Sequence, residues 1–85
     1  MTEQEFSQLV SAHKSTIYTV CYMFSKDEDE VNDLFQEVLI NLWRGIDTFK
    51  GEAKLNSWIY RISLNTCISA ERTATAKKLL RSAPS

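Results

Sequence analysis

The scarcity of chain breakers constrains this sequence more than any other feature. In 85 residues there are two glycines, Gly45 and Gly51, and one proline, Pro84, next to the end. Strands and their turns need punctuation by Gly, Pro or Asn every few residues, and no segment alternates apolar and polar positions between such breakers. Apolar residues instead recur three and four apart, the repeat of one helix face. The expected fold is all-α: a compact bundle of three main helices with a long loop before the third.

Helix one is expected from Thr2 to about Phe24. Thr2 and Glu5 form a capping-box pattern, in which each side chain satisfies a backbone N–H of the other. Its stripe is Phe6, Leu9, Val10, His13, Ile17, Val20, Cys21 and Phe24. Ser25 and Glu28 repeat the pattern before helix two. The acids at 27–30 suit the positive end of a helix dipole, contributing about 0.3–1 kcal/mol each at most. Helix two carries Val31, Leu34, Phe35, Val38, Leu39, Leu42, Trp43 and Ile46, and Gly45 suits a cap at its end. Residues 46–56 have no clean period and read as a loop with a candidate helical turn after Gly51, long enough to suggest a function. Helix three is expected to start between Glu52 and Asn56 and to reach about Lys78. Its core face is Leu55, Trp58, Ile59, Ile62 and Thr66; Tyr60, Leu64, Cys67 and Ile68 make a second apolar strip. The last four residues are expected to fray.

Composition matters through its distribution. The formal net charge is −1, but residues 1–43 hold two bases against eight acids, −6, and residues 44–85 hold eight bases against three acids, +5. Such asymmetry points to an anionic partner for the basic half. No apolar run approaches the roughly 20 residues that span a bilayer, and Glu3 and Glu5 do not fit a signal peptide. The chain reads as cytoplasmic. Cys21 and Cys67, 46 residues apart, have no metal-ligand spacing and are expected as free buried thiols. His13, the lone histidine, belongs to an apolar stripe. There is no phosphate loop, nucleophile elbow or metal cluster, so no catalytic residue, cofactor or metal is expected and the chain reads as a non-enzyme.

Two constellations exceed what a core requires. On helix two, Asp33, Gln36, Glu37, Ile40, Asn41 and Arg44 share the face away from Leu34, Val38 and Leu42. Charge and amides around one β-branched residue suit a protein-docking surface. In the loop and early helix three, Phe49, Lys50, Lys54, Asn56, Ser57, Trp58, Tyr60, Arg61 and Asn65 interleave bases, amides and aromatics. Single-stranded nucleic acid is bound by this combination, since cations neutralise phosphates while aromatic faces stack bases for roughly 1–3 kcal/mol each. Trp58, in register with Leu55, Ile59 and Ile62, is expected to spend most of its ring in the core. The residues alone leave open a small helical protein-interaction domain with no nucleic-acid role.

The run D-L-F-Q-E-V-L-I-N-L-W from Asp33 to Trp43, then F-K-G from Phe49 to Gly51, then W-I-Y-R-I-S-L-N from Trp58 to Asn65, resembles region two of bacterial sigma factors of the extracytoplasmic-function group. The resemblance covers almost the whole chain. It implies a transcription initiation domain whose D-L-x-Q-E helix docks on the clamp helices of the RNA polymerase β′ subunit. Asp33, Gln36 and Glu37 match that motif, and Ile40, Asn41 and Arg44 extend it. The following loop and helix would recognise and melt the promoter minus-ten element, with a nontemplate base flipped into a pocket formed by residues 47–56. Phe49, Lys50, Lys54, Asn56, Ser57, Arg61, Asn65 and Arg72 are the DNA-binding candidates on that basis. Extrusion of a base costs a few kcal/mol, which a preformed stacking pocket offsets.

The chain departs from the family pattern where many relatives carry an Asp four residues after the Asn and a dense arginine run. Ser69 stands there, followed by Arg72, Lys77, Lys78 and Arg81. Residues 1–80 are expected to be the region-two domain and 81–85 the start of a linker, the helix-turn-helix module of the family being absent from these 85 residues. An anti-sigma factor is a further partner the resemblance suggests. No membrane or small-molecule substrate is expected.

Overall fold

The computed structural model describes residues 2–49 and 54–82. Helix α1 spans Glu3–Phe24, α2 spans Glu28–Gly45, a 3₁₀ turn covers Ile46–Thr48, and α3 spans Leu55–Ser82. Thr2 caps α1 as its sequence suggests, its hydroxyl oxygen accepting from the Glu5 N–H at 3.1 Å. The cap of α2 sits two residues later than expected. Asp27, not Ser25, is its N-cap, with Oδ1 accepting from the Asp29 N–H at 2.8 Å. Ser25 is engaged otherwise: its hydroxyl donates to Glu30 Oε2 and accepts from the Asp27 N–H. A carboxylate at the cap is as good an acceptor as a serine, so the backbone turns for two residues first.

Gly45 ends α2 for a different reason from the one its type suggests. Its φ of −94° is ordinary right-handed helix, so no left-handed cap requires glycine. A Cβ there would lie 3.3 Å from Cζ2 of Trp58. Glycine lets the indole lie against the α2 backbone. Helix α3 runs to Ser82, past the expected end near Lys78, because nothing before Pro84 breaks it.

The three helices enclose one core. Ile17, Val20 and Cys21 from α1, Val31, Val38 and Leu42 from α2, Ile46, and Trp58, Ile59 and Cys67 from α3 are buried. Each large aliphatic among them contributes about 1.5–3 kcal/mol by burial. Cys67, placed by its spacing in a second strip on α3, belongs to the core because α1 and α2 together cover more than one stripe of that helix. Conversely Trp43, in the apolar register of α2, is 42% exposed. It lies at the open edge of the α1/α2 pair, its ring edge-on to Phe6 at 5.0 Å.

Cross-helix contacts fix the directions. Tyr18 stacks on Phe35 at 4.3 Å and Phe6 meets Trp43, so α1 and α2 are antiparallel. Asn41 meets Thr66, and Trp58 lies against Gly45, so α2 and α3 are antiparallel too. Polar groups inside are satisfied locally: Ser63 and Thr66 each donate a hydroxyl to the carbonyl four residues back, at 2.7 Å. His13 is half-buried, its Nδ1–H donating to the Leu9 carbonyl at 3.0 Å. The buried free thiols of Cys21 and Cys67 touch, with sulfurs 4.0 Å apart. Burial is the main cause that pushes Cys21 up to about 12, with Cys67 adding to it. No helix of the described residues is long and apolar enough to cross a membrane.

Candidate functional site

On α2, Asp33, Gln36, Glu37, Ile40 and Arg44 are exposed. Their three-and-four spacing makes one outward stripe opposite the buried Val38 and Leu42. Ile40 is half exposed, giving the stripe an apolar centre. The acids near the start of α2 complement its dipole, and Arg44 stands in its last turn. Asn41 does not share the freedom of its neighbours. Its Nδ2 donates to Thr66 Oγ1 at 2.8 Å in a half-buried position, so its amide ties α2 to α3. Glu37 lines a hollow along the same seam with Asn41 and Thr66; burial raises the Cys67 thiol pKa first, the contact with Cys21 lowers it, and the Glu37 carboxylate raises it further.

The basic constellation divides more sharply. Ser57, Arg61, Asn65 and Arg72 are exposed and fall on one side of α3 by helical spacing, away from Ile59, Ser63 and Cys67; Lys54, also exposed, immediately precedes the helix. Asn56 lies off that side, toward α1, where its Oδ1 accepts from the Thr16 hydroxyl at 3.4 Å. Phe49 is half-buried and packs at a tilt on Trp58, centroids 5.1 Å apart. Trp58 is only 8% exposed, so the indole supports Phe49 from within the core. Lys50 and residues 51–53, where a helical turn is expected after Gly51, lie outside the described residues, as do 83–85 of the expected linker.

Two surfaces of opposite sign therefore stand on two antiparallel helices, with Asn41 and Thr66 bonded between them. Chemically the first offers carboxylates and an amide to a cationic protein surface; the second offers three cations, an amide and a hydroxyl to a phosphate backbone and its bases. Among the described residues no group of three or more His, Cys, Asp or Glu is placed to hold a metal ion. The spacing of residues within one helix reveals both surfaces. It does not reveal the partners across the seam, Thr66 and Thr16, which lie 25 and 40 positions from the side chains they engage.

The family model for sigma-70 region 2 matches residues 9–77. Among curated proteins, the chain is 33% identical over 70 residues to the ECF RNA polymerase sigma factor SigW of Bacillus subtilis, covering 82% of this chain and 37% of SigW. It is 30% identical over 66 residues to the ECF RNA polymerase sigma factor SigG of Mycobacterium tuberculosis, covering 78% of this chain and 18% of SigG. SigM of Mycobacterium tuberculosis is 28% identical over 71 residues, 84% of this chain and 36% of SigM. No solved structure matches. The chain thus spans well under half the length of these relatives. With the matched segment covering most of α1, all of α2 and most of α3, the chain belongs to the sigma-70 region 2 family.

Proposed function

We propose that this chain is a non-catalytic transcription initiation domain of the bacterial cytoplasm. It binds core RNA polymerase through the outer stripe of α2 and recognises and melts the promoter minus-ten element through residues 47–56 and the outer side of α3. The observation that carries this is the pairing of family membership with two segregated exposed surfaces. Asp33, Gln36 and Glu37 are exposed on α2, as are Lys54 immediately before α3 and Ser57, Arg61, Asn65 and Arg72 on it.

The division of charge explains why the domain needs its polymerase. With −6 on residues 1–43 and +5 on residues 44–85, the molecule as a whole gains little from a polyanion, and only one side of α3 does. Polymerase binding holds that side against the nontemplate strand. Arg61 and Lys54 then neutralise phosphates, Asn65 offers an amide to an unstacked base, and Phe49, backed by Trp58, borders the loop that receives it. A regulator that covers the α2 stripe, such as an anti-sigma factor, blocks the first of these steps.

The test is binding of a fluorescent nontemplate minus-ten oligonucleotide to the polymerase-bound chain. Phosphate contacts by Lys54, Arg61 and Arg72 give a log–log salt slope of about −2, from about 0.7 per contact on a single strand. Arg61→Ala and Asn65→Ala each weaken binding by about tenfold. Wild-type affinity and slope in both variants contradict the assignment of this side of α3 to DNA.

A further inference from the structure

Neither cysteine belongs to the two proposed surfaces. Cys21 on α1 and Cys67 on α3 are the chain's two cysteines. Both are fully buried and free, and their sulfurs lie 4.0 Å apart. A disulfide has a sulfur–sulfur distance of about 2.05 Å. A closure of about 2 Å therefore separates packed thiols from a covalent link between α1 and α3.

The two thiols differ in their surroundings. A cleft of about 290 Å³ between α2 and α3 has Leu34, Cys67 and Ala70 among its apolar lining, whereas Cys21 does not line it. An oxidant entering the cleft meets Cys67 first, and Cys21 stands behind it. Acidity gives the same order. Burial is the main cause that raises both thiols; contact with Cys21 then lowers Cys67, against a further rise from Glu37, while Cys67 only adds to the rise of Cys21 to about 12. The thiolate is the nucleophile, and it forms more readily at Cys67.

The cleft also selects the oxidant. Its volume holds several molecules of water size, at about 30 Å³ each, and hydrogen peroxide is hardly larger. Cys67 has no surface open to bulk water, so a small oxidant needs slight movement of the lining and a bulky one needs the helices to part. Glu30, Asp33, Glu37 and Glu71 stand around the cleft. Their charge repels an anionic peptide disulfide such as oxidised glutathione and leaves neutral peroxide unaffected.

We infer that Cys21 and Cys67 are a redox-convertible pair, which hydrogen peroxide closes into an intramolecular disulfide joining α1 to α3. The Cys67 thiolate attacks one peroxide oxygen and the O–O bond breaks. Cys67 becomes a sulfenic acid, and the other oxygen leaves as hydroxide and takes up the proton that the thiol released, giving water. The Cys21 sulfur then attacks the Cys67 sulfur; the S–S bond forms, the S–O bond breaks, and the departing hydroxide leaves as water with the Cys21 proton. Two thiols and one peroxide give one disulfide and two waters. The link joins positions 46 residues apart. It restricts the unfolded chain and makes the oxidised domain the more stable form.

The test treats the 85-residue chain with excess hydrogen peroxide under native conditions, quenches it with an alkylating agent, and reads intact mass, peptide map and thermal melting. The wild type should lose two hydrogens, stay monomeric, yield a peptide linked through Cys21 and Cys67, and melt about 10 °C or more higher. Dithiothreitol should reverse all of this. Cys21→Ala should stop at the first step, leaving on Cys67 a sulfenic acid that dimedone labels, and Cys67→Ala should take up no oxygen in the same time. Oxidised glutathione at equal concentration should act at least about tenfold more slowly on the wild type. Two alkylated cysteines in the treated wild type, or a disulfide between chains instead of within one, overturn the pair, and this readout needs no substituted chain. Oxidation of Cys21 in Cys67→Ala as fast as that of Cys67 in Cys21→Ala overturns the order of attack. Equal rates with the two oxidants overturn the selection by the cleft.

Discussion

Replacing Asn41 by alanine separates a structural role from a binding role at a position that the α2 spacing assigns to the docking stripe. In the fold its Nδ2 donates to Thr66 Oγ1 at 2.8 Å, while the same hydroxyl donates to the Ile62 carbonyl at 2.7 Å. Asn41→Ala removes one hydrogen bond and leaves Thr66 its own donation intact, so no buried donor is orphaned. A net loss of about 1 kcal/mol follows, within the roughly 0.5–1.5 kcal/mol range of such bonds. For a domain of this size that lowers Tm by about 4–8 °C. Thr66→Val alone removes both bonds of the hydroxyl, and the double variant should show a coupling energy of about 1 kcal/mol, because the two side chains share one interaction. Urea unfolding followed by circular dichroism measures all three, and polymerase affinity is measured well below the unfolding midpoint. Affinity per folded molecule should change by less than about threefold. Unchanged stability in Asn41→Ala together with a tenfold loss of affinity would overturn the structural role and return the amide to the interface.

Three further outcomes follow from particular contacts. Gly45→Val drives methyls into the Trp58 ring, which lies only 3.3 Å from where a Cβ would sit. It should destabilise by about 1–3 kcal/mol in urea unfolding; a gain in stability, as expected when glycine leaves an open helix, would contradict the close approach. Thr2→Ala, which removes the acceptor for the Glu5 N–H, should cost about 1 kcal/mol, read as earlier thermal unfolding, while Thr2→Asp should retain most of the stability. Because Cys21 is pushed from 9.0 up to about 12 in the fold, its contribution is full below pH 9 and is lost as pH rises from 9 toward 12, where the unfolded chain releases the proton and the folded chain keeps it. Unfolding free energy should therefore fall by about 1 kcal/mol more between pH 8 and 10 in the wild type than in Cys21→Ala, and identical slopes in the two would count against the buried thiol.

The helices and most of the core were legible because three-and-four spacing is a property of each helix by itself. Ile17, Val38 and Ile59 needed no knowledge of their neighbours. What was not legible depends on more than one helix. Cys67 is buried as a free thiol, as expected, but its place on a side strip of the helical wheel does not say which partners cover it. Trp43 read as core because the spacing of α2 does not show that α1 leaves its edge open. The cap of α2 was displaced by competition: Ser25 bonds Glu30, and Asp27 does the capping. Gly45 carried the right position and the wrong cause, since a steric demand from Trp58 looks the same in sequence as a demand for left-handed backbone. Within the candidate site, the stripe from Asp33 to Arg44 was visible, but its division was not. Asn41 is held by Thr66, and Glu37 lines a cleft of about 290 Å³ together with Cys67 and Glu71 of another helix.

The decisive measurement is the affinity of the chain for its cognate core RNA polymerase, compared with a variant carrying Asp33→Ala, Gln36→Ala and Glu37→Ala. These residues are exposed, so their removal leaves the core intact and the melting temperature serves as the control. Loss of two carboxylates and an amide from the proposed docking surface should weaken binding by about 30-fold or more, or about 2 kcal/mol. Equal affinity of the two proteins, within about twofold, would contradict the assignment of α2 as the element that carries this domain onto the polymerase.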